Sequence, residues 1–267
     1  MSGVQTAAIP LQVDAWVAQH PGDRAEQQDR AAVLQSRLAG HCRLALVADG
    51  SGRGAAGALA ADNVLLTARR SFEQFTPAAD PADRYLSALV DEAHTVLRID
   101  ATTSGLAPRS TVAAVLAQPG RVDWCHVGDS RIYHFRRKRL ASRTIDHNHA
   151  QQLVATQGLD AEEALRHPRA RLLTQALGAG QPPQPAFGHL ADPEAGDTFV
   201  ICTDGLWEYF HAGEIALVIR EGTLGQAADT LMRRARERAD GRGDNCSLVL
   251  LRLVPAPAPT IRPGRRA

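Results

Sequence analysis

The sequence is short of several things, and each shortage closes off a class of function. Net charge is almost absent: 30 Lys and Arg against 29 Asp and Glu leave +1, so nothing pulls the chain generally toward nucleic acid or acidic lipid. No apolar run approaches the roughly 18 residues of a membrane helix. The opening MSGVQTAAIP lacks the basic start and apolar stretch of a signal peptide. The four cysteines, Cys42, Cys125, Cys202 and Cys246, are far apart and form no C-x-x-C. Three of them lie in or beside apolar runs and read as small core side chains, not metal or disulfide partners. No internal repeat is visible. No G-x-S-x-G elbow occurs either, since VGDSRI puts Arg131 and Ile132 after the serine, which argues against a Ser-His-Asp hydrolase. A cytoplasmic protein that works through a local site is expected.

What is present is the material of one large domain: 267 residues, 44% hydrophobic and 22% charged. Leu11, Val13, Ala15 and Val17 alternate as in a half-buried strand. After the polar loop PGDRAEQQDR come short apolar runs at Ala31–Leu34 and Leu44–Val47. Helical patterns cover Gly54–Phe75 and Ala82–Ile99, joined by the turn-rich TPAADPAD. Three strand-like runs follow at Thr111–Ala117, Val122–Val127 and Arg131–Phe135. His147–His167 reads as helix and loop lying over the rest. A strand at Thr198–Cys202, helices at Ala212–Arg220 and Leu224–Ala239, and a last strand at Cys246–Val254 complete the domain, 1–254. The tail PAPAPTIRPGRRA, 255–267, should be extended or disordered. Strands grouped together and helices grouped in pairs imply a layered α+β fold instead of βαβ alternation.

The stretch VADGSGRGAAGALAA (47–61) poses the functional question. Gly52, Gly54 and Gly57 fit G-x-G-x-x-G, the spacing that cradles a dinucleotide pyrophosphate. A dinucleotide fold would need a second parallel strand within about 30 residues, and the chain offers another helix instead. Asp49 would also face the pyrophosphate with like charge. A cation site asks for more carboxylates in similar places, and they exist. Asp204 follows the strand FVIC as Asp49 follows LALVA; Asp244 precedes CSLVLLRL, Asp129 joins two strand-like runs, and Asp29 precedes AAVL. One Asp-Gly at a strand end is ordinarily a turn. Five such aspartates would repel one another unless a cation neutralised them, and an all-oxygen set favours Mg2+ or Mn2+.

At this point the chain resembles the metal-dependent Ser/Thr protein phosphatases of the PP2C (PPM) family, bacterial type. The resemblance spans residues 11–254 and rests on RAEQQD (24–29), VADGSGRG (47–54), STVAAVLAQ (110–118), HVGDSRIY (126–133), TIDHN (144–148), HPRARLLTQALG (167–178), ICTDGLW (201–207) and GDNCSLVLL (243–251). It implies a four-layer α-β-β-α sandwich of two antiparallel sheets flanked by helix pairs, with two metal ions (Mn2+ or Mg2+) at one end. By matching position, Asp49 bridges the ions, Asp204 and Asp244 complete the first metal site, and the Gly50 carbonyl serves the second. Asp129 with Asp204 marks a third ion, Arg24 grips the substrate phosphate, and Asp29 orders metal-bound water. The implied activity is hydrolysis of phosphoserine and phosphothreonine on proteins by a metal-bridging hydroxide attacking in line. The implied partners are phosphorylated proteins, targets of Ser/Thr kinases. A monomer is expected.

Some positions depart from the family pattern. Gln27-Gln28-Asp29 stands where Asn-Glu-Asp is usual, so Gln28 offers a neutral amide where a carboxylate often serves the second metal. Ser51 occupies the place of a histidine proposed in animal members as a general acid, which leaves metal-bound water to protonate the leaving group. Arg53 replaces a common glycine, and DGSGRG is similar to the branch that acts on anti-sigma regulators. Because of Gln28, a second function stays open: a phosphoprotein-binding regulatory module with weak or no turnover. His147-Asn148-His149 reads as a structural hydrogen-bonding turn in preference to a metal pair. Arg136-Arg137-Lys138-Arg139 reads as a solvated hairpin tip, with a docking patch for acidic or phosphorylated partners as the sharper alternative.

Overall fold

A computed structural model of the chain describes residues 10–257; the N-terminal segment and nearly all of the proline-rich tail lie outside them. The first alternation becomes β1 (Leu11–His20), followed by β2 (Asp29–Gln35) and β3 (Arg43–Ser51). Two long helices come next, α1 (Ala56–Phe72) and α2 (Ala82–Ser104), then β4 (Arg109–Ser110), β5 (Val112–Gln118), β6 (Arg121–Val127), β7 (Arg131–Arg136) and β8 (Arg139–Arg143). The segment from His147 holds α3 (His149–Gln157) and α4 (Ala161–Leu165), packed on each other through Ala150, Leu153, Ala164 and Ala170. The chain closes with β9 (Ala186–Leu190), β10 (Thr198–Cys202), α5 (Asp204–Trp207), α6 (Ala212–Ile219), α7 (Leu224–Ala239) and β11 (Cys246–Pro255).

All pairings are antiparallel. One sheet runs β1-β11-β10-β7-β8; the other runs β2-β3-β5-β6-β9, with β4 attached to β3. The long apolar runs now have a cause. Strands β3, β5, β10 and β11 are covered on both faces, and consecutive side chains point to opposite faces. Leu44, Leu46, Val112 and Leu116 join a core under α1 and α2, while Ala45, Val47, Ala113 and Val115 join a second core between the sheets. On the other sheet, Val200, Leu248 and Leu250 face α6 and α7, and Phe199, Ile201, Val249 and Leu251 face the inter-sheet core. The result is four layers, helix pair, sheet, sheet, helix pair, as the resemblance implied.

The dinucleotide alternative ends here, because β3 leads through two helices to β5, which lies antiparallel beside it. Strands β4, β8 and β9 and the four-residue α5 are additions to the elements legible in the sequence. All four cysteines are buried and free. No helix of the described residues is long and apolar enough to cross a membrane.

Candidate metal centre

The strand ends that carry the five aspartates meet at one end of the sandwich. Asp29 opens β2 and pairs directly with Asp49 near the end of β3. Asp204 follows β10 as the first residue of α5, Asp244 precedes β11, and Asp129 precedes β7. Both sheets therefore contribute. Gly50 is a glycine for a packing reason: a Cβ there would stand 1.9 Å from the Gly57 carbonyl oxygen and 2.8 Å from that of Gln28. Gly205 is held the same way, with 2.0 Å to the Asn245 carbonyl oxygen. These two Asp-Gly pairs thus press their backbones against neighbouring elements, which ordinary turns do not require.

Hydrogen bonds fix each carboxylate's backbone. The Asp49 N–H donates to Thr111 Oγ1 (3.0 Å), and the Asp49 carbonyl accepts from Thr111 N (2.9 Å) and Ser110 Oγ (3.1 Å). Thr203 Oγ1 donates to Asp29 Oδ2 at 2.8 Å and accepts from the Ser247 N–H at 3.0 Å, tying β2 to the ends of β10 and β11. Asp244 accepts from the Asn245 N–H (2.8 Å) through Oδ1, and its Oδ2 lies 2.6 Å from Arg24 Nη2.

The electrostatics are those of carboxylates crowded out of water. Burial first, then the charges of Asp29, Asp204, Asp129 and Asp244, pushes the Asp49 carboxyl well above its ordinary range. Asp204 moves the same way, through burial and then Asp129, Glu208, Asp244 and Asp29. Burial raises Asp29 to about 7 against the hydrogen bonds of Thr203 and Ser247, and raises Asp129 to about 6, with Asp146 adding like charge. Among the described residues no three His, Cys, Asp or Glu side chains stand as a closed ligand shell, and Asp244 is committed to Arg24. The donors nevertheless suit a hard divalent cation: all are oxygens, and their ionisation is opposed by one another. A bound cation would offset both burial and repulsion. On that chemistry the residues fit a metal.

Arg24 sits at the rim, its side chain 62% exposed against 43% for Asp244. Gln28 turns elsewhere than expected: its Nε2 donates to the Gly54 carbonyl at 3.3 Å, and its Oε1 packs against Gly57.

Several residues of the site were not singled out by sequence. Buried Asn245 clamps the loop that carries Arg24: its Nδ2 donates to the carbonyls of Pro21 and Glu26, both at 2.9 Å, and its Oδ1 accepts from the Gln28 N–H at 2.6 Å. Arg131 grips Asp146 with two hydrogen bonds (2.8 and 2.7 Å) and lies 3.5 Å over the Trp207 ring, whose Nε1 donates to the Asp129 carbonyl at 2.9 Å. This locks the GDS turn to α5 and so fixes Asp129 relative to Asp204. The signal was in view, as the Asp of TIDHN, the Arg after GDS and the Trp after TDG, but only contact shows that they are one unit. His147 is structural, bonded to Gly128 through its backbone N–H (2.8 Å) and its Nδ1 (3.3 Å). His149 faces Gln152 and His167 instead of joining it.

Comparison with known proteins gives a consistent answer. Residues 18–238 match the family described as protein phosphatase 2C. The serine/threonine phosphatase stp of Listeria innocua is 27% identical over 216 residues, 78% of this chain and 83% of its own length. The serine/threonine phosphatase structure of S. agalactiae superposes with a TM-score of 0.82 at 26% identity, covering 90% of this chain and 99% of that one. The catalytic domain of the serine threonine protein phosphatase PstP, solved with 2 manganese ions, superposes with a TM-score of 0.75 at 26% identity over 91% of this chain and 99% of its own.

Proposed function

The chain belongs to the protein phosphatase 2C family and is a protein serine/threonine phosphatase of that type, and from that premise we propose how its residues divide the work. Divalent metal is required. Asp49, the Gly50 carbonyl, Asp204 and Asp244 would hold two ions, Mn2+ or Mg2+, and Asp129 with Asp204 would offer a place for a third. When bound, such ions would lower the pKa of a coordinated water toward neutrality and offer positive charge to the phosphoryl oxygens.

The remaining work falls to the chain. Asp29 is steered by Thr203 Oγ1 and orients the attacking oxygen. Arg24 meets the substrate phosphate: its contact with Asp244 is an exposed pair, worth about 0–1 kcal/mol, and its planar fork has further N–H groups to offer. Asn245 holds the loop on which Arg24 rides. Ser51, without a titratable ring, is no general acid. Substrates are phosphorylated proteins made by Ser/Thr kinases. The catalytic unit ends at residue 254, acts as a monomer, and works in the cytoplasm.

One observation carries this: carboxylates from five places in the chain, buried or half-buried, act on one another at one end of the sandwich. The binding-module alternative rested on Gln28, whose side chain is engaged by Gly54 and Gly57 instead of the carboxylates. The test is hydrolysis of p-nitrophenyl phosphate, dependent on Mn2+, abolished by EDTA and lost in Asp204→Asn. Folded wild-type protein that is silent across a range of metal concentrations would overturn the proposal.

A further inference from the structure

The loop immediately after Asp49 carries cations that the chemistry above does not use. Ser51, Arg53, Leu106, Ala107 and Arg109 line an open cavity of about 540 Å3. Its position is set by the strand that bears the metal-site aspartate. Ser51 pairs with Arg109 across β3 and β4, one step beyond the Gly50–Ser110 pair, and Ser110 Oγ donates to the Asp49 carbonyl. The cavity therefore opens directly beside the place proposed for the substrate phosphate.

Its charge is of one sign. Arg53 and Arg109 are both exposed, and no acidic residue lines the cavity. Among the described residues neither arginine is in an ion pair, whereas Arg24 on the same end of the molecule is engaged by Asp244. Two arginines that line one space without a counter-charge repel each other, and an anion entering the space would be attracted by both. Leu106, exposed, and Ala107 supply an apolar wall beside them.

We propose that this cavity is a substrate subsite for an acidic side chain of the phosphoprotein, held by Arg53 and Arg109. It rests on the phosphatase reading given above. Arg53 lies four residues beyond Asp49 in the chain, and Arg109 pairs with Ser51, so the acidic group belongs near the phosphorylated residue in the substrate's sequence. The shared chemistry is an oxyanion, a carboxylate or a second phosphate, and peptides can tell them apart.

The experiment compares phosphoserine peptides with neutral, Glu-bearing and second-phosphoserine flanks, using wild type, Arg53→Gln, Arg109→Gln and the double variant, with p-nitrophenyl phosphate as the substrate without flanks. Wild type should prefer acidic flanks, through KM more than kcat, and each substitution should lower kcat/KM for those peptides about fivefold, the upper range for an exposed ion pair. Neutral peptides and p-nitrophenyl phosphate should be little affected, and the preference should shrink with salt. Arg53→Glu with Arg109→Glu should reverse it toward basic flanks. Whichever acidic peptide loses more in the double variant identifies the anion. The same flank preference in wild type and double variant, with p-nitrophenyl phosphate still hydrolysed, would overturn the subsite alone. Wild type that hydrolyses no substrate at any Mn2+ concentration would overturn the phosphatase reading and the subsite with it.

Discussion

Strand β10 has an aspartate beyond each end, one buried and one half-buried, and the two could hardly be treated more differently. Asp197, just before the strand, is met by Arg136 Nε and Nη2 at 2.8 and 2.7 Å, by His134 Nε2 at 3.1 Å, and by the Glu194 N–H at 2.7 Å. Despite burial, these partners hold its carboxyl well below the usual range. Asp204, just after the strand, is half-buried among Asp29, Asp129, Asp244 and Glu208 and moves the opposite way. A buried carboxylate with its own cation is architecture. Buried carboxylates supplied mainly with one another describe a place where a cation has to come from outside. The five residues of the strand between them alone span about 17 Å.

The sharpest way to break this contrast is to neutralise each aspartate in turn. Asp204→Asn should cost about a thousandfold or more in phosphatase kcat, the scale on which essential electrostatic groups act, while its metal-free urea midpoint holds or rises because a like charge has gone. Asp197→Asn should leave kcat within about twofold and cost about 3 kcal/mol in urea unfolding, near the low end for breaking a buried pair, because Arg136 is partly exposed. Activity loss in the second variant without unfolding would undo the division of labour.

A metal titration asks the same question by another route. Mn2+ in hundredfold excess over its dissociation constant should stabilise wild type by about 2.7 kcal/mol in thermal unfolding. Asp49→Asn should show most of that gain lost, and Asp197→Asn should keep it.

The pH dependence has a definite sign at the far end. Because the folded carboxyl of Asp197 titrates below its unfolded value of about 3.9, its stabilisation is fully present above that value and drains away as pH falls toward the lower folded one. The stability gap between wild type and Asp197→Asn should narrow below about pH 4.

The smallest effect is expected at the hairpin between β7 and β8. Arg137 and Lys138 form its two-residue turn with φ of 49° and 66°, the left-handed pair that Asn-Gly adopts without strain. Arg137→Asn with Lys138→Gly should stabilise by about 0.5–1 kcal/mol in urea, the relieved left-handed strain being partly offset by the entropy glycine loses on folding, and leave p-nitrophenyl phosphate turnover unchanged. A fall in that turnover would show the far end reaching the metal centre.

Much of the site was legible because the five aspartates sit beside strands whose apolar runs announce themselves, and because a chain buried on both faces must turn at known places. Strand β8, RLASR, was not legible, since all five residues are exposed and no apolar pattern marks an edge. Strand β9 carries Gly188, on which the Trp124 ring packs so closely that a Cβ would stand 2.4 Å away; glycine in a sequence weakens a strand signal. Helix α5, four residues long, is shorter than the period by which helices are recognised. The Asn245 clamp and the Arg131–Asp146–Trp207 stack join residues far apart in sequence, and no local pattern carries such contacts.

The amino-acid order by itself determined most of the strands and helices, a layered α+β arrangement that buries their apolar faces, and the aspartates placed at strand ends. Only the tertiary structure decided which of those aspartates would meet a resident cation and which would meet each other. The reason is that propensity and periodicity act between neighbours in the chain, whereas Coulomb interaction and loss of water depend on distance in space. Asp29 and Thr203, 174 residues apart, are brought within 2.8 Å only by folding.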